Sequence, residues 1–354
     1  MSDCSPVSIG ALGVVIVVAW LAPAPLAGQF RASGANTTAA AKTWTPPRTP
    51  GGQPDLEGIW SNATLTPLER PPELAGKQFL TEQEAAEYEK RVIENYDADR
   101  RPTRETEADV ARAYNDSWYE RGTKIVASRR TALIVDPADG RVPPLTLEGQ
   151  KREDAGFCET GLHNHCTERG FNSWLDRNLW ERCITRGLPI LPAPYNNNYQ
   201  IVQSPGYLAI YSEMIHEVRI IPLDGSPHIA KNIRQWLGDS RGRWEGNTLV
   251  VDTTNFTDKT NFKGSTANLH LIERFTRADA DTLLYEFTVD DPTTFTRPWT
   301  AQIPMSRSEG PIYEYACHEG NYALPHILAG ARAEEKAAAE AKNAPKINHS
   351  EPDR

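Results

Sequence analysis

The sequence predicts a mainly β protein: an antiparallel meander closing into a barrel, or a two-sheet sandwich, with two N-terminal helices and one C-terminal helix. Three observations carry this prediction. Short apolar runs between residues 195 and 317 alternate with period two, the spacing of a strand with one buried face. Clusters of Gly, Pro, Asn and Asp separate the runs, as chain reversals require. No long helical crossover interrupts the series, which argues against a parallel α/β sheet.

The elements follow in order. Residues 1–28 read as a signal peptide: 9–22 is apolar, too short for a span of roughly 20 residues, and Pro-Ala-Pro-Leu-Ala-Gly follows with cleavage expected near Ala27 or Gly28. Residues 29–54 form an Ala-, Thr-, Pro- and Gly-rich lead-in. One β domain is expected over 55–330, with a helical insertion at about 81–120, and 331–354 hold the terminal helix and tail. Residues 55–60 open the first strand. Thr81 with Glu84 is a capping box before a helix reaching about Tyr96, and Thr106 with Asp109 resembles a second before a helix reaching about Tyr119. Both are heavily charged, so each packs by a narrow stripe.

Residues 131–135 begin a hairpin at Pro137-Ala138-Asp139-Gly140, and 147–190 are irregular. Strands 199–203 and 207–212 flank Ser204-Pro205-Gly206, and a strand ending at Leu223 is closed by Asp224-Gly225. Residues 243–244 and 248–253 flank Glu245-Gly246-Asn247, a hairpin sequence. Alternation is clearest where Leu283, Tyr285, Phe287 and Val289 share one face, and where Phe295, Trp299, Ile303 and Met305 do. Pro298 and Pro304 inside that last run place it at an edge, a bulge or a rim. Ala, Glu and Lys over 326–342 give the terminal helix.

Composition narrows the function classes. The 354 residues carry a net charge of −9, which disfavours nucleic acid and anionic membrane surfaces as partners. Once the signal is cleaved no stable membrane insertion is expected. Cleavage also removes Cys4 and leaves Cys158, Cys166, Cys183 and Cys317. An even number in an exported chain favours disulfides, with three possible connectivities; Cys158–Cys166 with Cys183–Cys317 is preferred. The expected location is periplasmic or secreted.

Four stretches look familiar together: 195–200 (Tyr-Asn-Asn-Asn-Tyr-Gln), 215–225 from Ile215 to Gly225, 238–246 from Gly238 to Gly246, and 313–322 from Tyr313 to Tyr322. They resemble a large family of exported bacterial proteins that carries no assigned activity, over roughly residues 55–335. Gly58-Ile59-Trp60 is similar to the Gly-x-Trp on the first strand of lipocalin-like barrels. That resemblance implies a calycin-like barrel; an isolated buried Trp accounts for the three letters equally well.

The residues capable of chemistry lie mostly in the meander. If 208–220 is one strand, His216 points with Leu208, Ile210, Met214, Val218 and Ile220, as a core histidine or an acid–base group. His318-Glu319 follows the last strand beside Cys317, and only one of two adjacent strand residues faces a given pocket. Arg234 and Trp236 share a face if extended, a cation beside an aromatic plane, suiting a carboxylate, a sugar or a planar ligand. Asp239 follows as a contact or as a structural partner for Arg234; Arg219 and Asn198 are further polar candidates. His163-x-His165-Cys166 is the most metal-like string, set against a disulfide at Cys166. No Gly-rich phosphate loop, Gly-x-Ser-x-Gly elbow or His-Glu-x-x-His is present, so no cofactor is predicted.

Three functions are compatible with this reading. One is a cofactor-independent lyase, isomerase or hydrolase that binds a small organic molecule in the barrel mouth, with His216 and either His318 or Glu319 moving protons. The second is a non-catalytic lipocalin-like carrier of an apolar or aromatic ligand. The third is an envelope protein whose charged helices dock a partner.

Overall fold

The computed structural model describes residues 44–97, 119–154, 171–260 and 262–343. The apolar run at 9–22, the expected second helix but for Tyr119 at its end, Cys158, Cys166, His163 and His165 lie outside the described residues. Ten strands form one antiparallel sheet: β1 (Gly58–Ser61), β2 (Ile134–Asp136), β3 (Asn198–Ser204), β4 (Tyr207–Ser212), β5 (Glu217–Pro222), β6 (Asp239–Glu245), β7 (Thr248–Thr254), β8 (His270–Arg277), β9 (Thr282–Asp290) and β10 (Trp299–Ser308). Helices α1 (Glu82–Tyr96), α2 (Leu147–Asp154), α3 (Cys317–Gly320) and α4 (Ala323–Asn343) accompany it. The expected helix at 326–342 starts three residues earlier, and its last residue is Asn343.

The ladder runs β5-β4-β3-β1-β10-β9-β8-β7-β6, with β2 beside β10. This corrects two expectations. The strands make one sheet rather than a two-sheet sandwich, and backbone pairing does not close it into a barrel. β5 and β6 are its two ends. They nevertheless approach to within 8 Å between Cα atoms, so the ends face one another across an open seam. Gly242 on β6 permits this approach, since a Cβ there would lie 2.4 Å from the Leu223 side chain and 2.9 Å from that of Ile221.

Alternation decides which side chains fill the sheet's interior. Leu283, Tyr285, Phe287 and Val289 of β9 are fully buried, as are Trp299 and Ile303 of β10. Phe275, Tyr285, Phe287 and Trp299 follow one another with centroids 4.9, 5.7 and 5.7 Å apart, within the range where aromatic pairs attract beyond their buried area. Pro304 sits inside β10 without loss of a bond. β2 pairs with β10 at Thr300 and Ala301, and β1 pairs at Ser306–Ser308. Pro304 falls in the gap, where its missing N–H has no partner to serve.

The opening strand, expected over 55–60, runs from Gly58 to Ser61. Trp60 is buried, donates Nε1 to the Leu56 carbonyl at 2.9 Å, and has the guanidiniums of Arg277 and Arg307 5.5 and 5.8 Å from its ring centroid. Gly58 holds φ +136, which a residue with a Cβ rarely adopts. The Thr81 capping box forms: Glu84 N donates to Thr81 Oγ1 at 3.2 Å and Thr81 N to Glu84 Oε2 at 2.9 Å. Helix α1 buries only Ala85 and Glu89, the narrow stripe its charge content implies. Among the described residues no helix is long and apolar enough to cross a membrane.

Candidate functional site

The open seam is one of the places where a ligand has room. The sheet's interior is filled by its own side chains, apart from a cavity of about 30 Å³ under Leu188, Ile190 and Ile210. Two larger spaces lie outside it: a cleft of about 920 Å³ along β5 and β6, walled by Arg234–Gly238 and Thr257–Lys259, and one of about 830 Å³ between Leu65–Pro72, α1 and Leu191–Pro194; the first holds the residues singled out in the sequence. Leu223 donates its amide to the Gly206 carbonyl at 2.8 Å, which sets the alternation along β5. Ile221 and Arg219 turn their backbone groups to β4; Val218 and Ile220 turn theirs to the seam.

Arg219 spans the seam with its side chain. From β5 it donates Nε to Ser240 on β6 and Nη2 to Thr253 on β7, both at 2.9 Å, and Nη1 to Glu273 Oε1 on β8 at 3.0 Å. Nη2 also pairs with Glu273 Oε2. Tyr285 donates its hydroxyl to Glu273 Oε1 at 2.9 Å and accepts from Ile190 N at 3.1 Å. Arg219 is buried and Glu273 has no exposure, so each charge depends on the other. Burial, with the Glu273 charge beside it, pushes the Tyr285 phenol well above its ordinary range. Arg219 was expected as a ligand contact; it borders the cleft, but its donors are committed to this network.

Four of the expected residues meet at the cleft: Arg219, Arg234, Trp236 and Asp239. Arg234 donates Nη1 to the Phe256 and Ala267 carbonyls at 3.2 and 2.5 Å, which fixes its head without neutralising it. The alternative Arg234–Asp239 pair is not made. Asp239 instead takes Arg241 Nη2 at 3.1 Å and meets His228 Nδ1 at 2.8 Å. Glu217 also lines the cleft. It accepts from Thr185 Oγ1 at 2.5 Å, and burial raises its carboxyl above the usual range, with Thr185 and Arg219 opposing.

The expected histidine is elsewhere. Residues 208–220 are two strands joined by a reversal at Glu213–His216, where Ile215 and His216 hold φ 65 and 46. The phase slips there: Leu208 and Ile210 are buried before the turn, Arg219 and Ile221 after it. Val218 and Ile220 are more than half exposed, and His216 is exposed. His318 and Glu319 are exposed too and lie in helix α3, not at a strand end. The structure does bring His216 and His318 together, with ring centroids 6.2 Å apart, although neither lines the cleft. Cys183 and Cys317 form the expected disulfide beside them.

Asn198 also lies outside the cleft. It is buried on β3 and donates Nδ2 to Glu213 Oε2 at 2.9 Å. Its neighbours take the turn role: Asn196 has φ 54, and Asn197 braces the Ala193 amide and carbonyl at 2.7 and 2.9 Å.

A second polar cluster stands on the outer face of β6 to β9. His228 Nε2 meets Asp252 Oδ1 at 2.9 Å, and His270 Nε2 meets Asp252 Oδ2 at 3.0 Å. The hydrogen bond from His270 lowers the Asp252 carboxyl, and the same bond raises His270. With Asp239 this cluster fastens the loop that carries Arg234 and Trp236. Among the described residues no group of three or more His, Cys, Asp or Glu is arranged to hold a metal ion. Comparison with protein-family models, curated proteins and solved structures gives no match to this chain.

Proposed function

We propose that this chain is an exported protein that binds a small planar organic anion in the seam cleft. The observation that carries the reading is a guanidinium, held by two backbone carbonyls and by no acid, that lines one cleft with an indole. Among the described residues neither Arg234 nor Lys259 makes an ion pair, and both line the cleft with Trp236. Arg241, on the same wall, keeps a buried Nε without a partner. A carboxylate takes the guanidinium donors, and a flat body covers the indole. The disulfide supports an oxidising compartment, and the resemblance to exported bacterial proteins points the same way. The filled interior favours the seam over a calycin-like barrel mouth as the place for that ligand.

The test is Trp fluorescence titration with benzoate, cinnamate and indole-3-acetate, each against its neutral amide. The carboxylates should bind and the amides should not. A charge-assisted hydrogen bond contributes about 1.5–3 kcal/mol, so Arg234→Gln should weaken binding about 10- to 100-fold. Equal binding of acids and amides, or an Arg234→Gln protein that binds as tightly as the parent, refutes the proposal.

Glu217 favours a second reading, an acid–base lyase, isomerase or hydrolase on the same ligand class. A carboxyl raised by burial at the edge of a cleft is suited to proton transfer near neutral pH. Glu217 then takes the role that the sequence assigned to His216. Glu217→Gln separates the readings: binding retained with turnover lost supports the enzyme, and a parent protein that turns over no member of the panel removes it.

A further inference from the structure

We propose that His216 and His318 together bind one divalent transition-metal ion of the Zn²⁺ type. The site lies where the C-terminal segment crosses the turn between β4 and β5, and it is independent of the ligand proposed for the cleft. The two rings stand 6.2 Å apart and are inclined by 54°. Metal–nitrogen bonds of about 2.0–2.1 Å place two imidazoles on one ion with their centroids roughly 5–6 Å apart. Both side chains are exposed, so a small torsional adjustment brings them into range and water completes the coordination shell.

The second observation concerns which nitrogen is free. His216 Nδ1 lies 2.8 Å from the Tyr315 carbonyl. A carbonyl only accepts, so Nδ1 carries the proton and the lone pair is on Nε2. Metal-ligating histidines commonly have this arrangement, with one ring N–H given to a carbonyl and the other nitrogen presented to the ion. The histidines of the outer cluster differ, because both ring nitrogens of His228 and Nε2 of His270 already meet carboxylates.

Both ligands are held from behind. His216 sits at φ 46, next to Ile215 at φ 65, a conformation that persists only where the surroundings fix it. Glu213 Oε1 in the same turn accepts from Tyr313 N at 3.4 Å. His318 follows Cys317, which is bonded to Cys183, and Asn321 Nδ2 donates to the Glu181 carbonyl at 2.8 Å. The disulfide fastens the segment that carries His318, and Tyr315 and Cys317 of that segment pack with Met214 and Ile215 beside His216.

The test is calorimetric titration with Zn²⁺ alone, on the disulfide-intact protein in a His163→Ala/His165→Ala background. One ion per chain should bind. His216→Ala and His318→Ala should each weaken that binding at least 10-fold, and His228→Gln should leave it unchanged. Imidazole ¹⁵N spectra give an independent readout: Zn²⁺ should shift Nε2 of His216 while Nδ1 keeps its proton. No Zn²⁺ uptake in the background protein overturns the proposal. So does unchanged uptake in both alanine variants, or a spectrum in which neither ring responds.

Discussion

Replacing Arg219 with methionine removes the side chain that spans the seam and keeps its volume. The structure gives the cost. Glu273 would lose both guanidinium donors and keep only the Tyr285 hydroxyl, at a position with no exposure. Stranding one member of a buried ion pair costs about 3–5 kcal/mol, and Ser240 and Thr253 lose a donor as well. That is a large share of the roughly 5–15 kcal/mol by which a folded protein exceeds its unfolded state. Replacing Glu273 with methionine at the same time should recover most of the loss, because an apolar pair of similar volume is often neutral to the fold. Guanidinium unfolding of parent, both single variants and the double variant closes the cycle. A loss under about 1 kcal/mol in Arg219→Met would refute the reasoning, since the pair would then not depend on Arg219. A double variant as unstable as the single would do the same.

The remaining predictions concern other parts of the fold. Asp252 is lowered and His270 raised by their mutual bond, so the stability they lend is fully present between about pH 4 and pH 6.5, above the ordinary Asp value and below that of His. It declines as pH falls through the folded value of Asp252 or rises through that of His270. The Tm difference between parent and Asp252→Asn should be largest in that window; a difference that grows above pH 8 contradicts the pairing. Cys183→Ser opens a loop with a separation of 134 residues, which should cost about 2–5 kcal/mol in equilibrium unfolding; parent-like stability would show that the bond constrains nothing. Gly238 has φ +67, and a Cβ there would lie 2.4 Å from the Thr254 carbonyl oxygen. Gly238→Ala should therefore cost at least about 1–3 kcal/mol by thermal melting, and a Tm equal to the parent's would disprove the clash.

Period-two alternation carried most of the sheet. Leu283 to Val289 were legible because Thr282, Glu286, Thr288 and Asp290 mostly supply the opposite face, and Thr300 and Gln302 do the same between Trp299 and Ile303. The helix at Thr81 was legible because a capping box is local chemistry. His216 was misplaced for a physical reason. Apolar residues at alternate positions from Leu208 to Ile220 conceal a hairpin whose turn has no Gly or Pro, and reversal there depends on left-handed Ile215 and His216. That the sheet stays open was not legible either, since it depends on how β5 meets β6 across an intervening loop. Glu273 left a usable signal, an acid between inward Leu271 and Phe275. Arg234 and Trp236 did reach one cleft, although in a loop rather than a strand.

Backbone hydrogen exchange at Val218 and Ile220 tests the open seam most directly. The account predicts that these two amides exchange within the time of exposed ones, while Leu208 and Ile221, paired to each other across β4 and β5, stay protected. Slow exchange at Val218 and Ile220, equal to that of their neighbours, would mean that β5 is paired on both sides and that no cleft separates it from β6.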